Sequence, residues 1–226
     1  MHREGSYLAA GAAAVASAGD LLMLYAANAP RPELGLPQPG RGWLWMGAAL
    51  GVLAIPLYAV GYRAAARLLE PASAFAARVV ARTGLAVALL GALIHGLTAA
   101  YIAASLDAAG PAGDPLAGVA AAGRLLLVLW GLASLGVVVA SIVFAWGVGR
   151  GRTPAPRSLA WANPALLTVV IAAAGLPSLT LRAFLTPAAP NLAHLVFFLA
   201  CGAAGTRASR LSRSGWRSES DIRRDP

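Results

Sequence analysis

A carboxylate sits inside an apolar segment long enough to cross a bilayer. Leu8 to Ala27 supplies the roughly 20 residues that a spanning helix needs, and Asp20 lies well within it. A charge at such a position costs about 2.5–3.5 kcal/mol on insertion scales, so it is tolerated only where it faces protein or water. The helical neighbours of Asp20 are Ala9, Ala13, Ala16, Ser17 and Leu24, whereas Leu8, Val15 and Leu22 fall elsewhere. Small residues on one face admit a second helix at close range, which points Asp20 into a bundle. Arg3 ahead of the run and Ala27-Asn28-Ala29 after it resemble a signal peptide with a small-residue cleavage site, but Asp20 would interrupt its apolar region. An uncleaved first helix is expected.

The rest of the chain supplies the bundle. Its 226 residues are 58% hydrophobic and 12% charged, with several further apolar runs of spanning length. The expected fold is all-α: a polytopic bundle of six transmembrane helices over residues 1–206, followed by a basic, disordered tail at 207–226. The net charge of +9 comes from arginines between and after apolar runs, where they act as topology signals rather than as a nucleic-acid surface. No lysine occurs, which removes Schiff-base chemistry and lysine phosphate loops. Cys201 is alone, so the chain can form neither an internal disulfide nor a cysteine zinc cluster.

A proline- and glycine-rich loop from Asn28 to Arg41 leads to a second span, about Gly42 to Tyr62, with Trp43 and Trp45 at its interface. Pro56 cannot donate to the Val52 carbonyl and should bend that span. Pro71 suits a first helical turn leading into the third span, roughly Thr83 to Leu106. That span presents Gly84, Ala88, Gly91, His95, Thr98 and Ile102 on one small-residue face. The fourth span covers Leu125 to Val148. Arg124 either lies inside it and pairs with Asp20 or snorkels to the surface. Asn163-Pro164 reads as a cap and first-turn proline opening a fifth span to about Leu181, with Pro177 inside. A sixth span should begin near Pro187 and run to Thr206, because Pro187 and Pro190 suit a helix start better than an interior.

Arginines concentrate after spans two and four and in the tail, while Asp107 and Asp114 occupy the loop after span three. The positive-inside rule then places both termini in the cytoplasm. On that topology Asp20 lies about 11 Å, and His194 about 10 Å, from the outer helix ends at 1.5 Å per residue. His95 falls nearer the midplane. Ionisable groups at overlapping depth define the candidate site, with Asp20, His95 and His194 as acid–base residues and Tyr25, Tyr58, Arg124 and Asn191 around a bound substrate. Each could instead serve packing alone: an intramembrane histidine can simply bond a carbonyl, and an Asp20 pair can simply hold helices together.

Short motifs carry a resemblance. Gly19-Asp20-Leu21-Leu22 with Tyr25, Ile55-Pro56-Leu57-Tyr58 with Gly61-Tyr62, His95-Gly96, Asn163-Pro164, and Pro187-Ala188-Ala189-Pro190-Asn191-Leu192 resemble an uncharacterised family of small six-span bacterial integral membrane proteins. The resemblance covers the six spans without the tail. It implies the bacterial inner membrane as location and directs attention to Asp20, Pro56, His95, Asn163 and Asn191. It implies no chemistry, and Arg124 has no place in its pattern.

Other intramembrane sites fit poorly. Zinc hydrolases of the ceramidase type use three histidines, and only His95 and His194 lie within spans. Bis-histidine haem has no further support in the spacing, so no cofactor is expected. The stretch Gly131 to Gly136 sits inside an apolar helix and is no nucleophile elbow. Three function classes stand. One is an intramembrane acid–base enzyme acting on a lipid or isoprenoid-type substrate, with membrane lipids or a hydrophobic small molecule as partner. The second is a proton-coupled carrier of three-plus-three inverted repeats. The third is a structural membrane protein without catalysis. Small exposed faces also allow a homo-oligomer.

Overall fold

Long runs of Ala, Leu and Val surrounded by hydrocarbon have one economical backbone solution, since a helix satisfies every N–H and C=O within its own segment. The computed structural model describes residues 2–28, 34, 40–108 and 116–222, and side chains within 3–28, 34, 40–107 and 119–206. Residues 29–33 and 35–39 of the expected loop, Asp114, and the side chains of the basic tail lie outside these. Among the described residues the chain is helical, without a strand.

Helix α1 spans His2–Asn28 and α2 spans Gly42–Ala54. One turn of 3-10 helix, Ile55–Leu57, separates α2 from α3 at Tyr58–Leu69. Pro56 sits in that turn, where its missing N–H and its ring cannot continue an α-helical ladder. Helices α4 (Ala74–Ala108), α5 (Leu116–Gly149), α6 (Pro164–Ala174) and α7 (Leu179–Ile222) complete the order. Five helical stretches are long and apolar enough to cross a membrane, and α6 is a shorter apolar helix.

Several boundaries differ from the sequence-based expectation, among them the end of α7, which continues as helix to Ile222 where a disordered tail is expected from residue 207. Helix α4 starts at Ala74 rather than at Pro71. The Ser73 hydroxyl accepts the Ala76 N–H at 3.2 Å, so the serine caps the helix and the proline stays in the preceding turn. The expected fifth span ends early, at Ala174, because Gly175 to Ser178 form a turn in which the Ser178 hydroxyl caps the next helix, accepting the Leu181 N–H at 3.4 Å. Consequently α7 begins at Leu179, and Pro187 and Pro190 lie inside it rather than at its mouth. A proline is tolerated within a membrane helix when neighbouring groups use the carbonyls it frees.

Helix α1 packs chiefly on α7 and α2, α4 on α5 and α3, and α6 on α7. The buried α1 face includes Ala9, Ala13, Ala16 and Ser17, as its small-residue pattern requires. Gly19 and Gly47 form the tightest part of the α1–α2 crossing: a Cβ on Gly19 would lie 2.6 Å from the Gly47 carbonyl oxygen. Below the crossing, Tyr58, Tyr62, Phe144, Phe197 and Phe198 are fully buried and fill the middle of the bundle with rings.

Candidate functional site

Asp20 is buried on α1, with only a small part of its side chain open. One turn toward the N-terminus from Asp20, Ser17 spends its hydroxyl on the Ala13 carbonyl at 2.8 Å, so the carboxylate must find partners on other helices. It finds two. The Asn191 amide on α7 donates to Oδ2 at 2.7 Å. His95 Nδ1 on α4 stands 3.4 Å from Oδ1. Asn191 is itself oriented, because the Tyr58 hydroxyl donates to its Oδ1 at 2.8 Å. With its carbonyl so engaged, the amide must turn its NH₂ toward Asp20.

The histidine tautomer follows from the other ring nitrogen. His95 Nε2 lies 3.1 Å from the Gly47 carbonyl oxygen. A carbonyl only accepts, so Nε2 carries a proton and a neutral ring would turn the Nδ1 lone pair toward Asp20. Two lone pairs would then oppose each other. The contact is attractive only if one proton is shared, as a carboxylic acid facing neutral imidazole or as a carboxylate facing imidazolium. The close α1–α2 approach makes this possible. Gly51 leaves room for the ring, since a Cβ there would overlap His95.

His194 lies in the same region but outside this pair. Measured from the start of α7, it is about 22 Å along the helix at 1.5 Å per residue, deeper than a helix beginning at Pro187 would place it. Asn191, nearly one turn closer to the start, takes the position beside Asp20 instead. His194 Nδ1 donates to the Pro190 carbonyl at 2.7 Å, and the Tyr62 hydroxyl then donates to Nε2, also at 2.7 Å. The Tyr58 ring stacks on the imidazole at 4.9 Å between centroids, linking the two hydrogen-bonded groups.

A cavity of about 330 Å³ opens beside these residues. Asp20, Tyr58, His95, Asn191 and His194 mark its polar end, and its remaining walls are mostly apolar side chains from α1, α4, α5, α6 and α7. Ile55, Val87 and Ile94 form the deep wall and are buried, whereas Trp130, Val138 and Val169 line the cavity and are exposed on α5 and α6. The mouth therefore faces sideways, between α5 and α6, where a bilayer would supply acyl chains. Thr98, Ser134 and Thr168 add hydroxyls to the lining. The Thr168 hydroxyl donates to the Pro164 carbonyl at 2.8 Å.

Of the residues singled out from the sequence, Asp20, His95, His194, Tyr58 and Asn191 line one cavity. Tyr25 does not; its ring meets Trp43 edge-on at 6.3 Å near the α1–α2 connection. Arg124 is exposed on α5 and lines no part of the cavity, so the Asp20–Arg124 pair is not formed. Sequence reasoning missed Gly47, which admits α1, and Gly51, which makes room for His95, although their four-residue spacing on one span was a visible signal for close helix approach. It also gave Tyr62 no role at the site. Among the described residues, no group of three or more His, Cys, Asp or Glu side chains is placed to hold a metal ion.

The chain belongs to DUF6796, a family of unknown function whose model matches residues 5–204. No curated protein and no solved structure matches it.

Proposed function

We propose that this family member is an intramembrane acid–base enzyme acting on a lipid or isoprenoid-type substrate that reaches Asp20 sideways from the bilayer. One observation carries the reading: a carboxyl oxygen and an imidazole nitrogen 3.4 Å apart stand at the inner end of an apolar cleft open toward lipid. Moving a double bond, or opening an epoxide to an allylic alcohol, requires one proton delivered and one removed, with no co-reactant. Asp20 Oδ1 is the donor in this scheme, and the Asp20–His95 pair takes the proton back from the neighbouring carbon. Asn191 holds Oδ2, leaving Oδ1 as the exchanging oxygen. Apolar walls exclude water from the cationic or enolic species between the two steps.

The carrier reading has less support. A polar path past Tyr58 toward the far end of α3 would have to pass Tyr62, Phe197 and Phe198, which are buried and packed against one another. A purely structural role accounts for the hydrogen bonds but leaves the cavity beside them without a purpose.

The same reading places the chain in a bacterial inner membrane with six crossings and cytoplasmic termini. Five helical stretches are long and apolar enough to serve as crossings. Support for the sixth comes from Ser141, whose hydroxyl accepts the Ala165 N–H at 3.1 Å. Helix α6 thus starts roughly 12 Å back from the end of α5 at 1.5 Å per residue. Its 11 residues add about 16 Å, which brings the chain across most of a 30 Å core.

Native mass spectrometry of the detergent-purified protein tests the reading. The wild type should retain a lipid that Asp20→Asn and His95→Ala lose. Retention of the same lipid by both variants would overturn it.

A further inference from the structure

Resting on the enzyme reading above, we infer that the site takes an uncharged single-chain amphiphile, inserted head first, and rejects lipids with an ionised headgroup. Charge balance is the first ground. With Nε2 of His95 committed to the Gly47 carbonyl, the Asp20–His95 pair holds one shared proton and is neutral as a unit in either arrangement. An anionic head would meet that pair with no cation to receive it. No arginine lines the cavity, and its third ionisable group, His194, has both nitrogens engaged with Pro190 and Tyr62. Phosphate recognition normally relies on Arg forks, Lys or helix N-termini; among the described residues no Arg lines this space, and the one helix start that does, at Ala165 of α6, has its Ala165 and Leu166 N–H groups taken by the Ser141 hydroxyl and the Asn163 side-chain oxygen. A cationic head would meet the same neutral pair, in which the shared proton already balances the Asp20 charge.

A neutral oxygen head meets what the polar end does offer. Asp20 Oδ1 can give or take a proton, and the Thr98 hydroxyl stands on the same α4 face as His95. Size is the second ground. At about 30 Å³ per water-sized group, a cavity of about 330 Å³ holds the head and roughly ten carbons. Any longer tail leaves through the mouth past Trp130 and Val138 and stays in the bilayer. Only one chain fits beside the polar end, so a second chain would have to stay outside in the bilayer, which favours a single-chain ligand.

The test compares four probes that share one chain and differ in head: farnesol, farnesylamine, farnesoate and farnesyl diphosphate. Each is titrated into the full-length protein in detergent micelles, reading thermal unfolding and the fluorescence lost in a Trp130→Phe control. Farnesol should raise the unfolding temperature and perturb Trp130, binding at least about tenfold more tightly than the three charged analogues. Asp20→Asn and Ser134→Trp should both abolish the preference, the first by removing the shared proton and the second by filling the lipid-facing mouth without touching the buried core. A charged analogue that binds as tightly as farnesol, and loses binding in Asp20→Asn, would overturn the neutral-head inference while leaving the site intact. If all four bind alike and neither variant matters, both this inference and the enzyme reading fall.

Discussion

Replacing Gly51 by Ala should destabilise the protein, and should do so only while His95 is present. A methyl group at this position overlaps the imidazole, so the ring has to leave its place. His95 then loses the Gly47 carbonyl at 3.1 Å and its contact with Asp20 at 3.4 Å. Helix propensity works in the opposite direction, favouring Ala over Gly by about 1 kcal/mol. Overpacking costs about 1–3 kcal/mol, and stranding a buried polar group costs about 1–3 kcal/mol more. The balance is a net loss of about 3 kcal/mol, within a range of about 1–5. In a His95→Ala background the obstruction is gone, and Gly51→Ala should become neutral or stabilise by up to about 1 kcal/mol. Equilibrium unfolding in mixed micelles of a mild detergent and dodecyl sulfate, run on all four proteins of the cycle, gives the coupling directly. A coupling energy under about 0.5 kcal/mol, the level at which distant sites simply add, would refute the placement of His95 against Gly51.

Tyr62→Phe should cost about 0.6 kcal/mol, the average for hydrogen bonds between membrane helices, and at most about 1.7, because it removes the donor to His194 Nε2; the same unfolding assay reads it. Gly84→Ala should be far more damaging than Gly131→Ala, since a Cβ at Gly84 overlaps the buried Tyr62 ring and one at Gly131 meets nothing within 4 Å; comparable midpoints for the two variants would contradict the α3–α4 packing. Asn163→Ala should cost about 1 kcal/mol through loss of the side-chain oxygen that accepts the Leu166 N–H at 3.0 Å. Faster amide exchange in the first turn of α6, with the other helices unchanged, is the accompanying signature.

Several features follow from residue order alone. Asp20 faces inward because a carboxyl pointing at lipid is costly whatever the neighbours are, and the alanines that share its face say which way inward is. Pro56 breaks its span because it lacks an N–H and its ring clashes in any helix interior. Asn163-Pro164 opens a helix because cap and first-turn chemistry act over three residues. Family membership is of the same kind, since the family model matches the sequence over residues 5–204. All of these are properties of one segment in a hydrocarbon or helical environment, with no partner needed.

The partners of Asp20 are properties of pairs of helices, and only the tertiary structure decided them. Two histidines and one arginine competed on paper for the same carboxyl. The missing side chain at Gly51 let the α4 imidazole lie against α2, where the Gly47 carbonyl fixes the His95 tautomer. The start of α7 at Leu179 rather than near Pro187 carried His194 below the carboxyl and delivered Asn191 in its place. Arg124 turned outward on α5. The physical reason is one of scale: a helix register shifts a side chain by 1.5 Å per residue, so a boundary misplaced by two turns exchanges one partner for another. The energy that holds a carboxyl indoors can be read from its own segment, but the group that answers it is selected by how closely the backbones cross.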